Sequence, residues 1–144
     1  MKIAICSSLD FIPEIEKAGK ELEALGHQVV LPKSAEMVIS GEMPAKILTD
    51  ENLSPEKRIE RKIKLDAIRL HYNKIAECDA ILVLNYTKKS VDNYIGGNTF
   101  LEMGFAHILN KKIFLLNNAP QMLYTDEIMA MQPVVLRGDL KNIK

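Results

Sequence analysis

The sequence predicts an α/β fold on a mainly parallel sheet, and three observations carry that prediction. Short apolar runs rich in β-branched residues recur along the chain, at residues 2–6, 27–32, 79–86 and 112–116. Between them lie longer segments with apolar residues at helical spacing or with helix-opening signals. Finally, 47% of the 144 residues are apolar, enough for one core that covers a sheet on both faces.

Each element has its own local reason. Residues 2–6 form a first strand. Residues 11–25 place Ile15, Ala18, Leu22 and Leu25 at helical spacing and end at Gly26, a helix stop. Residues 27–32 follow as the second strand. From 33 to 52 the pattern weakens around Gly41 and Pro44, which predicts a loop or short helices. Ser54-Pro55 sets a capping residue before a proline at the first helical position and opens a long helix predicted to run to about Cys78. Residues 79–86 read as a buried third strand, 98–110 as a helix, 112–116 as a fourth strand and 121–131 as the last full helix. Residues 133–136 make a short final strand at the sheet edge, where the leading Pro133 is tolerated. Strand and helix in repeated alternation predict a flavodoxin-like or Rossmann-like three-layer sandwich with a five-stranded, mainly parallel sheet. One domain over residues 1–144 is expected, with no repeat, low-complexity tract or linker.

Composition excludes several function classes. With 19 basic and 19 acidic residues the net charge is zero, which argues against nucleic-acid binding. No apolar run reaches membrane-spanning length, and Met1–Cys6 reads as a strand rather than a signal peptide. Cys6 and Cys78 show no metal or redox spacing, which suits reduced thiols in a cytoplasmic protein. His27, His71 and His107 make no metal site by spacing, and the dinucleotide and phosphate-loop glycine motifs are missing. The expectation is a protein without metal or organic cofactor.

In such sheets ligands bind beyond the carboxyl ends of the strands. That rule gathers Cys6, Ser7, Ser8 and Asp10 from the first strand, Asn85 and Tyr86 from the third, and Asn117 and Asn118 from the fourth. Gly96-Gly97-Asn98-Thr99 opens the helix after the third strand. Glycines there let a polar or anionic ligand approach the unpaired first N–H groups of the helix. Glu102, one turn in, is placed to point into the same cleft. Bland readings stand beside these. Thr99-x-x-Glu102 is also a capping box, Ser7 and Ser8 are also helix caps, and His71 shares a helical face with Ile68 and Ile75. Met129 and Met131 read as core or interface filling. The lysine pairs at 88–89 and 111–112 read as solvated, with the first also near the cleft rim. A Cys6–His71 nucleophilic dyad is a further alternative.

The run Asn98-Thr99-Phe100-Leu101-Glu102-Met103-Gly104-Phe105-Ala106, preceded by Glu77-Cys78-Asp79-Ala80-Ile81-Leu82-Val83 and followed by Lys111-Lys112-Ile113-Phe114-Leu115-Leu116, resembles the nucleoside 2-deoxyribosyltransferase family and its relatives, the deoxynucleoside 5'-monophosphate N-glycosidases. The likeness is clearest over residues 70–117. It implies that Glu102, with Thr99, Gly104 and Ala106 in register, is a nucleophile toward the anomeric carbon of a deoxyribose. It further implies a nucleoside or nucleotide as the small-molecule partner, and a homodimer or higher oligomer, because a neighbouring subunit closes the sugar site in that family. On this reading Cys6, Ser7, Ser8, Tyr86, Gly97, Asn98, Thr99 and Asn117 bind substrate, and His71 or Asp92 assists the leaving base. The chain departs from the family pattern at His71, where an aspartate is usual, and at Gly96, where the loop acid is displaced to Asp92. Those departures keep open a non-catalytic nucleotide-binding or sensing module of the same fold.

Overall fold

Strand alternation sets the layers. In β1 (Lys2–Ser7) Ile3 and Ile5 turn to one face and Ala4 and Cys6 to the other. In β3 (Ala80–Leu84) Ala80, Leu82 and Leu84 join the first face, and Ile81 and Val83 the second. The first face packs against Ile12, Ile15 and Leu22 of α1 (Ile12–Ala24) and Ala35 of α2 (Lys33–Ile39). The second packs against Ile75 of α4 (Ala67–Ala76), Met103 and Ala106 of α5 (Gly97–Ile108) and Ile128 of α6 (Thr125–Ala130). Cys6 therefore lies under the α4 and α5 layer.

The computed structural model describes residues 1–48, 50 and 52–144. Among these, β2 (Gln28–Val30), β1, β3, β4 (Lys112–Leu115) and β5 (Val134–Val135) form one sheet in that order. Every pairing is parallel, so the sheet is fully rather than mainly parallel, down to the short edge strand after Pro133. The weakly patterned region holds α2 and a 3₁₀ turn at Ala45–Ile47, and its positions 49 and 51 lie outside the described residues. Among the described residues no helix is long and apolar enough to cross a membrane.

The single helix expected from Pro55 to about Cys78 is instead two. α3 (Pro55–Leu65) is capped by Ser54 Oγ, which accepts from the Lys57 N–H at 3.3 Å. It ends at Asp66, whose φ of 42° and ψ of 41° are left-handed, and α4 begins at Ala67. Ile59 and Ile63 of α3 stay 57% and 74% exposed, whereas α4 buries His71 and Ile75 against the sheet. Breaking the helix lets α4 follow the sheet without dragging α3 across it, and Asp is among the few residues that accept the left-handed conformation. Asp66→Gly is expected to hold stability within about 0.5 kcal/mol, while Asp66→Val costs about 1–2 kcal/mol, measured by urea unfolding. The exposed Asp66–Arg69 pair at 3.0 Å contributes little to that difference.

The helix predicted over 121–131 is shortened at its start. Thr125 Oγ1 donates to the Pro120 carbonyl at 2.8 Å and accepts from the Met122 N–H at 2.8 Å, holding residues 120–124 in a turn.

Candidate functional site

Three elements bring three chemically different side chains together. Cys6 comes from the carboxyl end of β1, His71 from the middle of α4, and Glu102 from the second turn of α5. Cys6 Sγ lies 3.6 Å from His71 Nε2, and His71 Nε2 lies 3.7 Å from Glu102 Oε1. Sequence spacing had joined no carboxylate to a histidine. The fold does so because Cys6 alternates onto the α4 and α5 face and α4 packs along α5.

Burial controls the charge of this cluster. It raises the Glu102 carboxyl from an ordinary 4.5 to about 8, only partly opposed by a hydrogen bond from Cys6. Burial also lowers His71 from 6.5 to about 4, helped by the Lys74 charge and opposed by the Ile5 backbone and Glu36. The Cys6 thiol is pushed well up, first by burial and then by Glu102. Near pH 7 the cluster is a thiol, a neutral imidazole and a carboxylic acid. The contact between His71 and Glu102 is therefore not an ion pair, and at 3.7 Å it is longer than a normal hydrogen bond. Glu102 Oε2 has no hydrogen-bond partner among the described residues. The Ile5 backbone lies beside the His71 ring, yet no bond of normal geometry satisfies Nδ1. A raised thiol is a poor nucleophile, which counts against the Cys6–His71 dyad even though the two touch.

The capping-box reading of Glu102 is overturned. The N-cap of α5 is Gly96, extended at φ −79° and ψ 169°, and Thr99 sits inside the first turn, 4% exposed. Glu102 is thus released from the helix start to meet Cys6 and His71. It opens, with His71, Ser7 and Asn98, onto a pocket of about 100 Å³. The rest of the lining is mostly apolar, with Met37, Leu65, Ile68, Leu101 and Phe105, and it also carries Lys33, Ser34 and Lys62. Leu101 and Phe105 were signalled by their helical spacing on one half-exposed face, whereas Leu65 and Ile68 flank the break at Asp66 and are brought to the pocket by it.

Of the remaining candidates only Ser7 reaches the pocket wall. Ser7 Oγ donates to the Leu84 carbonyl at 3.0 Å while lining the pocket. Ser8 Oγ accepts from the Asp10 N–H at 3.4 Å, capping a 3₁₀ turn at Leu9–Phe11, and from Lys88 Nζ at 2.9 Å. Lys88, read as solvated, is also 2.5 Å from Asp10 Oδ2, so it ties the loop after β3 to the end of β1. Tyr86 meets Phe11 in a tilted ring contact, centroids 5.3 Å apart and planes at 59°, and packs against the other core. Asp92 is exposed, accepts from Thr87 Oγ1 at 3.1 Å and does not line the pocket that His71 and Glu102 share. Gly97 is exposed at the first position of α5.

Asn117 is engaged by Asn85, which is fully buried. Asn85 Oδ1 accepts from the Asn117 N–H at 2.9 Å, and its amide donates to the carbonyls of Asn117 at 3.3 Å and Asn118 at 2.9 Å. Asn117 Nδ2 returns a bond to the Asn85 carbonyl at 3.2 Å. This lattice pins the carboxyl ends of β3 and β4 together. Asn85→Ala leaves buried donors and acceptors unpaired and is expected to cost about 2–3 kcal/mol in chemical denaturation.

The sheet is fully parallel and carries a buried titratable cluster beside a pocket at its carboxyl edge, the edge at which sheets of this class take ligands. Comparison with solved structures narrows the fold. The chain is similar to a 2-deoxyribosyltransferase from the psychrotolerant bacterium Bacillus psychrosaccharolyticus, with a TM-score of 0.51 and 22% identity over 80% of this chain and 71% of that one. It is similar also to the Clostridium botulinum CMP N-glycosidase BcmB, with a TM-score of 0.50 and 18% identity over 94% of this chain and 85% of that one. The shared feature is the fold, the one that the residue pattern around Glu102 implied. No protein-family model and no curated protein matches the sequence.

Proposed function

We propose that this chain cleaves, or transfers at, the N-glycosidic bond of a nucleoside or its 5'-monophosphate, with Glu102 as nucleophile. The observation that carries the reading is the Glu102 carboxyl, buried at the pocket wall 3.7 Å from an unprotonated His71. Support comes from the fold shared with a 2-deoxyribosyltransferase and a CMP N-glycosidase, and from the likeness of residues 98–106 to the segment that carries the nucleophile in that family.

The pair holds one mobile proton. As the bond from the anomeric carbon to the base nitrogen stretches, positive charge develops on the sugar and favours an ionised Glu102. The carboxyl proton passes to His71 Nε2, and the carboxylate oxygen bonds the anomeric carbon. The bonding pair leaves with the base, which takes the proton from the imidazolium. Water then releases the sugar, or a second base takes it. Ser7 and Asn98 line the side of the pocket open to the sugar or phosphate, and the Met37, Ile68 and Phe105 wall suits the flat face of a base.

The test is release of free base from a panel of ribo- and deoxynucleosides and their monophosphates, followed by chromatography. Turnover of at least one member is expected. A second reading, nucleotide binding without catalysis, is favoured by the imidazole standing where a carboxylate serves in the resembled family. It requires that nucleotides raise the melting temperature while no base appears over long incubation.

A further inference from the structure

We propose that Cys6, His71 and Glu102 form a Zn²⁺ site whose fourth coordination position opens on the pocket. Their ligand atoms all lie within 4.8 Å of one another, and the two measured separations are 3.6 Å for sulfur to nitrogen and 3.7 Å for nitrogen to oxygen. Around a tetrahedral zinc, with bonds of about 2.3 Å to sulfur and about 2.1 Å to nitrogen or oxygen, those separations are about 3.6 Å and about 3.4 Å. These two edges match the ion to within a few tenths of an ångström, and the third, from Cys6 to Glu102, lies within 4.8 Å. A thiolate, a carboxylate and a neutral imidazole also suit this metal chemically, and the two anions cancel its charge inside the protein.

The surroundings fit a three-ligand, open-site zinc. Each ligand stands on a different regular element, β1, α4 or α5, so the set is held without loop ordering. Glu102 Oε2 is buried and unpartnered, a second carboxylate oxygen free to approach the same ion. Among the described residues His71 Nδ1 makes no hydrogen bond, so the ring nitrogen that a zinc-bound histidine turns to an outer acceptor is left for that use, with the Ile5 backbone nearby. His71 and Glu102 both line the pocket, which leaves the fourth position facing it. Binding exchanges Zn²⁺ for two protons, one from the Cys6 thiol and one from the Glu102 carboxyl.

The binding claim stands apart from the N-glycosidic reading, and only its corollary rests on that reading. A metal on Glu102 occupies the lone pair needed for attack, so Zn²⁺ inhibits base release rather than supporting it.

The 144-residue chain, freed of metal, is titrated with Co²⁺ and then Zn²⁺. One equivalent of Co²⁺ should give the intense visible bands of a tetrahedral ion and a sulfur-to-metal charge-transfer band, both erased by one equivalent of Zn²⁺. Cys6→Ser should lose the charge-transfer band and weaken binding at least about a hundredfold, and Cys78→Ser should keep both. Glu102→Gln, a near-isosteric change, should also weaken binding, with thermal melts confirming that each variant is folded. No tetrahedral spectrum at one equivalent, or a charge-transfer band that survives Cys6→Ser, overturns the site. A full spectrum in a protein that releases no base keeps the site and overturns only the enzymatic reading, while base release undiminished by saturating Zn²⁺ overturns the inhibitory corollary.

Discussion

Glu102→Gln is expected to lower base release by at least about a thousandfold while making the protein more stable at alkaline pH. The two effects share one cause. In the native chain burial holds the carboxyl proton until about 8, whereas the unfolded chain ionises at an ordinary 4.5. Between those values the unfolded state is favoured by releasing a proton that the folded state retains. Glutamine keeps the shape and carries no such proton, so the variant's advantage grows with pH above 4.5 and levels off above about 8. A nucleophile is lost and a buried ionisation removed in the same substitution, the usual opposition between site chemistry and stability. Chromatographic base release and thermal melts at pH 5.5 and 9 read the two arms. Turnover within tenfold of the native chain rejects Glu102 as nucleophile, and a lower melting temperature at pH 9 rejects the burial account.

The layers were legible because each strand and most helices carry their own period. The alternation of Ile3 and Ile5 against Ala4 and Cys6 is readable without coordinates, and so is the glycine-opened helix that bears Glu102. The break at Asp66 was not, since a polar residue in a helical pattern looks the same whether its φ is −60° or +42°. What decides it is where α4 must lie on the sheet, a tertiary demand. The site was legible in part for the same reason. Cys6 and His71 were paired and Glu102 was singled out by itself, but the meeting of all three depends on which face β1 presents to α4 and α5. Conversely, Tyr86 and Asn117 were drawn in by the rule that strand ends line clefts, and Asp92 by the resemblance. The structure places Tyr86 on the opposite core and commits Asn117 to Asn85. The rule names an edge of the sheet, and side-chain direction decides which of its residues reach the pocket.

Stability and activity should respond differently to pH. His71 stays neutral in the folded chain down to about 4 but takes a proton at an ordinary 6.5 when unfolded, so its contribution is present above 6.5 and is lost as pH falls toward 4. Glu102 acts in the opposite direction, its contribution present below 4.5 and lost as pH rises to about 8. Between 4.5 and 6.5 folding therefore exchanges no net proton at this pair, and the two slopes cancel. From 6.5 to 8 only Glu102 acts, and stability falls. In Glu102→Gln that fall should vanish, leaving a rise from 4 to 6.5 that belongs to His71. Urea melts of both proteins across pH 4–9 give the difference directly, and a native-chain stability that climbs relative to the variant between 6.5 and 8 contradicts the assignment. Activity follows the number of protons on the pair rather than their effect on folding. The singly protonated pair persists from about 4 to about 8, so kcat/KM should hold a plateau there and drop at both ends, as coupled groups do. The upper half of that plateau coincides with declining stability, so the rate at pH 7.5 should match that at pH 5.5 in a protein that is easier to unfold.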